Sequence, residues 1–441
     1  MNLQTGRLWV FLTATLLAMT LLVAACAPGA APTPTPTNAP AAASPTAAPK
    51  AEPTKPAEKP AEKPAATPTT APSKPTGASI KVGFLTPLSG FAAPFGHNQK
   101  YGVILAQEDI NQGGGINGSP LEVLTRDSPF DPKEAVTLMR NLDEKDKVFA
   151  ILGPYSSGEF EVAAPLANEL QIPTITNLSL KPGVTAANRP WTFRVQLVHD
   201  ITLPVAIDAF KKKYPAVKKV VIVGDTKEAV NQVMVKDLFP KMLQQAGFDL
   251  IGTVEFNQGT TDFGAIVTKA KESNAQGIAV AGIPTDVATL AKEMARQGFQ
   301  LPTVTGAQIM GSNFPQMAGT SVEGWVAAGT FDPASSDPAV QKFVSRISSR
   351  METDAGVVKP IWLAYEPQTY DTVMAMADIM RKAAITPNTA VKDARTKIRD
   401  GFQNLKDYPG LVGSISVLPT GETTWKPVPF VVQGGKWVAI K

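Results

Sequence analysis

Ile80-Lys81-Val82-Gly83-Phe84-Leu85 is an apolar run that reads as a buried strand. The segments after this strand decide the fold. A loop from Pro87 to Gly96 leads into a helix starting at about Gly96, with Tyr101, Ile104, Leu105, Glu108 and Ile110 in its periodic region. A glycine-rich turn, Gly113-Gly114-Gly115-Ile116-Asn117-Gly118, precedes a second strand at Leu121 to Thr125. Asp131-Pro132-Lys133-Glu134 then has the form of a helix start, with an N-cap, a proline in the first turn and an acid three residues on. Val148 to Leu152 reads as a third strand, and Ser156-Ser157 opens another helix. Strand, helix, strand, helix is the pattern of a parallel sheet covered on both faces.

The pattern begins again after about Asp200. Strands are expected at Val217 to Val223, Gly252 to Phe256, Gly277 to Ala281 and Thr303 to Thr305. Helices are expected from Glu228 to Ala246 and over 262–273 and 284–297. Two rounds of one alternation predict an α/β protein with two doubly wound parallel-sheet lobes. A helical stretch at 336–352 and 362–385 comes next. Short strands close the chain at Leu411 to Val417, Val428 to Val432 and Trp437 to Ile440, the last two joined as a hairpin across Gln433-Gly434-Gly435.

The chain before residue 80 is different material. Arg7, an apolar run from Leu8 to Val23, and Ala24-Ala25 before Cys26 have the layout of a secretory signal. Cys26 is the one cysteine of the 441 residues, so no disulfide forms within the chain, and an acylated thiol there would leave no thiolate for a metal site. Residues 27–79 are Ala, Pro, Thr, Lys and Glu almost throughout, hold over a third of the 39 prolines, and contain no aromatic residue. Such a stretch buries too little apolar surface to offset its chain entropy, and closely spaced prolines make it a semi-rigid spacer. With 42 Lys and Arg against 38 Asp and Glu, the chain carries no basic footprint for nucleic acid.

Catalytic chemistry finds little to use. The chain has two histidines, His97 and His199, both at expected helix starts, where solvated or capping roles fit. There is no Gly-x-Ser-x-Gly elbow, His-Glu-x-x-His pair or EF-hand loop. The Gly113–Gly118 cluster lies before a strand, whereas a phosphate-binding loop lies after one, so it reads as a turn requiring positive φ. The expectation is a binder and not an enzyme, with no cofactor and no metal. In open α/β sheets ligands sit beyond the carboxyl ends of strands, and helix N-termini there attract anions. Three first-lobe loops qualify: Pro87–Gly96, Pro154–Gly158 and Thr176–Leu180. Ser156 and Ser157 stand at a helix start, where a serine caps the helix or holds a ligand carboxylate.

These segments resemble the branched-chain amino acid binding proteins of ABC importers, the type I periplasmic binding proteins. The resemblance is carried by Ile80-Lys81-Val82-Gly83, Leu88-Ser89-Gly90 and Phe95-Gly96. It continues through Asp109-Ile110-Asn111 with Gly113 to Gly118, through Asp127 with Asp131-Pro132, and through Leu152-Gly153-Pro154-Tyr155-Ser156-Ser157 and Ile172-Pro173. It runs from about 80 to 441 and is most specific in its first 120 residues. It implies two Rossmann-like lobes joined by a three-crossing hinge, closing on one ligand. The expected division is 80–199 plus 331–410 for the first lobe and 200–330 plus 411–441 for the second. Cys26 resembles the lipidated cysteine of bacterial lipoproteins, which implies a signal peptide at 1–25, a lipid-anchored tether at 26–79 and an extracytoplasmic location. A plain secretory signal is the alternative.

Carried over residue by residue, the resemblance implies that Ser157 holds the ligand carboxylate, flanked by Tyr155 and Ser156. Phe95 covers the ligand side chain, and the loop Thr176, Leu178 and Ser179 completes the carboxylate site. In the second lobe Gln308 falls where amino-acid binders place a glutamate against the ligand ammonium. Ala229 and Val230 stand in place of a usual tyrosine, and Ile283-Pro284 in place of an aromatic residue. A neutral amide does not balance a buried cation. The expected ligand is therefore an amino-acid-like molecule or a small carboxylate or amide, with the ammonium cage incomplete. The implied partners are an ABC permease and its ATPase, with the protein acting as a monomer. A ligand-sensing receptor subunit is the alternative reading.

Overall fold

A computed structural model describes residues 75–441 except 177, 311–313 and 356–364. The expected signal peptide, Cys26 and all but the last residues of the tether lie outside the described residues. From β1 onward the alternation holds. The first half runs β1 (Ile80–Thr86), α1 (Ala93–Gln112), β2 (Leu121–Asp127), α2 (Pro132–Glu144), β3 (Ile151–Leu152), α3 (Ser157–Glu169), β4 (Thr174–Thr176), α4 (Val184–Ala187) and β5 (Thr192–Arg194). Its five strands form a parallel sheet in the order β2-β1-β3-β4-β5. Ile80, Val82 and Phe84 are buried on one face of β1 and Leu85 on the other. That double burial explains why β1 is a continuous apolar run and not an alternating one.

The second half runs α5 (His199–Lys213), β6 (Lys219–Asp225), α6 (Ala229–Val233), α7 (Phe239–Gln245), β7 (Asp249–Phe256), α8 (Gly264–Glu272), β8 (Gly277–Ala281), α9 (Pro284–Arg296), β9 (Thr303–Thr305), α10 (Phe314–Ala318) and β10 (Val326–Gly329). α11 (Pro338–Ala355), α12 (Glu366–Lys382) and α13 (Val391–Gln403) come next. The chain ends with β11 (Tyr408–Gly410), β12 (Gly413–Val417), β13 (Thr423–Thr424), β14 (Val428–Gln433) and β15 (Lys436–Ala439). The second sheet has the order β15-β14-β10-β9-β8-β6-β7. Its members β6 to β10 are parallel, and the β14–β15 hairpin adds two antiparallel strands.

The single helix expected from Glu228 to Ala246 is interrupted by a π-turn at Met234–Leu238. Pro240, which has no N–H to give the preceding turn, stands in the first turn of α7, and the helix runs on through the π-turn. A second difference concerns lobe membership. Ile415 and Val417 of β12 are buried with Ile80, Val82 and Phe193 of the first lobe. Asp371 of α12 accepts from the N–H groups of Leu411 (2.9 Å) and Val412 (3.2 Å), and Arg194 N donates to Gly421 O (2.8 Å). The small sheet β11-β12-β13 therefore packs on the first lobe, and the boundary expected at 410/411 moves to the link between β13 and β14. The chain passes between lobes at three places: after β5, after β10 and after β13.

Candidate functional site

The turn from β3 into α3 sets the first wall of the cleft. Gly153 has φ +96°, and a Cβ there would lie 2.3 Å from the Leu85 carbonyl oxygen, so only glycine fits. Ser156 is the N-cap of α3 in a full capping box with Glu159. Its hydroxyl accepts from Glu159 N (3.2 Å) and donates to Glu159 Oε2 (2.8 Å), and its N–H reaches the same oxygen (3.1 Å). Ser156 thus has no proton left to offer a ligand. Glu159 is fully buried and also accepts from Ser128 Oγ at 2.6 Å. Burial raises its pKa, against the lowering effect of bonds from Ser128, Ser156 and the Phe130 backbone.

Ser157 is arranged differently. Its Oγ accepts from Leu180 N (3.1 Å) and Lys181 N (3.3 Å), which fills its lone pairs. The Ser179 hydroxyl also donates to it at 3.3 Å, and the Ser157 proton is used in none of these bonds. The N–H groups of Ser157 and Gly158 belong to the first turn of α3, where helix geometry provides no internal acceptor. One hydroxyl proton and two N–H groups thus stand together at a positive helix end, a set of donors that suits an anion.

Phe95, Tyr155, Ser156, Ser157, Leu178 and Gln308, all expected from sequence, line one cavity together with Leu180. Thr176 and Ser179 stand behind that wall. Thr176 Oγ1 donates to Pro154 O (3.1 Å) and accepts from Ser179 N (3.0 Å), so it shapes the loop instead of facing the cavity. Ser179 is fully buried against Ser157. Phe91, Phe130, Glu228, Val230, Asn231, Ile283, Pro284 and Tyr365 complete the lining. Val230, Ile283 and Pro284 stand at positions the resemblance marks, whereas Phe130, Asn231 and Tyr365 were not legible as site residues, because they come from separate elements joined only by the fold. Phe91 and Glu228 did carry a signal, since each lies in a loop just past the carboxyl end of a strand.

Glu228 alters the reading of the second wall. β6 ends at the buried Asp225, whose carboxylate accepts from the N–H groups of Lys227 (2.8 Å), Gln258 (2.8 Å) and Glu228 (3.2 Å) and from Asn231 Nδ2 (3.0 Å). Glu228 Oε2 caps α6 through Val230 N (2.8 Å) and Asn231 N (3.1 Å). Burial pushes the Glu228 carboxyl up to about 7, with a smaller contribution from the Asp225 charge, while the capping N–H groups act against the rise. Asn231 Nδ2 is committed to Asp225, so Asn231 Oδ1 turns outward and accepts from Gln308 Nε2 at 3.3 Å. Gln308 Oε1 is buried without a partner. The second wall is therefore neutral at Gln308, as expected, but it is not without an acid.

Neither histidine lines the cavity. His97 Nε2 lies 3.2 Å from Leu88 O on the exposed side of α1. His199 is fully buried where the chain first crosses between lobes, which corrects the solvated or capping role expected for it. Its pKa falls to about 3, mainly through burial and secondarily through Arg194. The same crossing carries an ion pair between Arg194 Nε and Glu422 Oε2 at 3.2 Å, and Arg194 Nη2 donates to Lys181 O at 2.8 Å. Among the described residues no group of three or more His, Cys, Asp or Glu side chains is placed to hold a metal ion, and no helix is long and apolar enough to cross a membrane.

Two parallel-sheet lobes with three chain crossings and a cleft between the strand ends define the type I class of bilobal binding proteins. The family profile described as "Periplasmic binding protein" matches residues 79–435, and the chain belongs to that family. It is 31% identical over 221 residues to a Pseudomonas aeruginosa protein named "Amino acid binding protein", a match covering 50% of this chain and 58% of that relative's length. Its fold is similar to that of LivK, a leucine binding protein from Thermotoga maritima. There the TM-score is 0.70 at 24% identity, covering 82% of this chain and 98% of that one. It is also similar to a solute binding protein of an R. palustris ABC transporter solved with 4-hydroxybenzoate. That TM-score is 0.71 at 21% identity, covering 82% and 96% of the two chains.

Proposed function

We propose that the protein is the solute-binding lipoprotein of an ABC importer, held outside the cytoplasm by lipid on Cys26. On this reading residues 26–79 are its tether, and the two lobes enclose one small carboxylate and hand it to the permease. The observation that carries the ligand reading is Ser157. Its lone pairs are filled by Leu180 N and Lys181 N, its proton remains to be donated, and two helix-end N–H groups stand beside it. A ligand carboxylate makes charge-assisted bonds there, stronger than bonds between neutral groups. The body of the ligand lies among the rings of Phe91, Phe95, Phe130, Tyr155 and Tyr365 and the side chains of Val230 and Ile283. Glu228 and Gln308 offer acceptors to an ammonium or hydroxyl on the same molecule.

Relatives of this fold include a leucine binding protein and one solved with 4-hydroxybenzoate, and both ligands combine a carboxylate with an apolar body. Calorimetric titration of the purified protein with L-leucine, benzoate and 4-hydroxybenzoate tests the reading. One-to-one binding of at least one acid is expected, and silence from all three overturns it.

A further inference from the structure

Phe130 stands in the link between β2 and α2 with φ +65°, a backbone conformation that a bulky residue rarely adopts and that glycine takes freely. Its ring sits between those of Phe91 (5.0 Å between centroids, 66°) and Tyr155 (5.7 Å, 44°). It lines both the inner chamber and the outer mouth, where Phe91 is 45% exposed. The strained backbone is held from behind. The fully buried Glu159 carboxylate receives the hydroxyl of Ser128, two residues before Phe130, and the N–H and hydroxyl of Ser156. Glu159 sits in the first turn of α3, the helix whose start carries Ser157. One buried carboxylate thus ties the aromatic ring at the mouth to the carboxylate-binding corner. A residue kept in the left-handed region at a ligand cleft is there for its side chain, because the backbone alone would be better served by glycine.

We propose that Phe130 is the gate of the cleft, a ring held over the ligand chamber by Glu159 that sets which apolar bodies are retained there. The proposal rests on the carboxylate-ligand reading above. Glu159 is a positioning residue in it, acting through Ser128 and Ser156.

Two variants of the full protein test it. Phe130→Gly removes the ring and relieves the backbone. It is expected to melt at or above the wild-type temperature while releasing bound benzoate or L-leucine about tenfold faster in stopped flow, with association little changed. A lowered melting temperature with unchanged release would make Phe130 a packing residue and overturn the gate. Glu159→Gln is read without ligand, by hydrogen exchange of the segment 128–134. Faster exchange confined to that segment is expected, and unchanged exchange overturns the role of Glu159. If the wild-type protein takes up neither acid, the ligand reading fails, and the exchange measurement still decides whether Glu159 holds Phe130.

Discussion

At the scale of single residues, the cleft separates two serines that look alike in the sequence. Ser156 spends its hydroxyl proton on Glu159, whereas the bonds at Ser157 Oγ are all accepted ones and leave its proton unused. Across the cleft, Glu228 carries a burial penalty with a definite sign. Its carboxyl titrates near 4.5 when unfolded and at about 7 when folded. Between those values the native state holds the extra proton, so the stability of the neutral form is complete below about 4.5 and is lost as pH rises through 7. Glu228→Gln cannot ionise. It should gain on the wild type by on the order of 1–3 kcal/mol between pH 5 and pH 8, read from urea midpoints. An equal difference at both pH values would remove the charge penalty. An ammonium seated beside Glu228 relieves the same penalty and favours the ionised carboxylate.

At the scale of elements, the strands and caps were the most legible features. The strand at Thr303–Thr305 is found as expected, and the N-cap at Asp131 is present, its Oδ1 accepting from Lys133 N (2.8 Å) and Glu134 N (3.3 Å). Asp131→Ala should cost about 1 kcal/mol of stability by thermal or urea unfolding, and no loss would show the cap to be replaced by water. α13 was not anticipated. Its buried stripe of Ala394, Ile398 and Phe402 repeats every four residues, but one small and two large apolar residues are diluted among charges such as Lys392, Arg395, Arg399 and Asp400. β5 and β10 are three and four residues long and take their strand character from neighbours in the sheet, not from local pattern. The π-turn in the helix after β6 traces to Pro240, a local cue that the periodic pattern obscured.

At the scale of the whole molecule, repetition of one alternation was enough to predict two lobes, because each round must build its own parallel sheet. Which lobe the last strands join was not legible. The packing of Ile415 and Val417 against Ile80 and Phe193 is a contact over more than 200 residues of sequence. The cleft shows the same division. The first-lobe corner could be read from three loops at strand ends, while Glu228, Phe130 and Tyr365 gain their meaning from what the fold sets opposite them. The buried His199 and the Arg194–Glu422 pair lie close to the crossings and stay outside the cleft lining. On the proposed reading the lobes close on a carboxylate held by Ser157. Its most direct test is calorimetric titration of the wild type and Ser157→Ala, side by side, with L-leucine and benzoate. The account predicts one ligand per chain for the wild type and an affinity weaker by about 1–3 kcal/mol in the variant; equal affinity in the two proteins would contradict it.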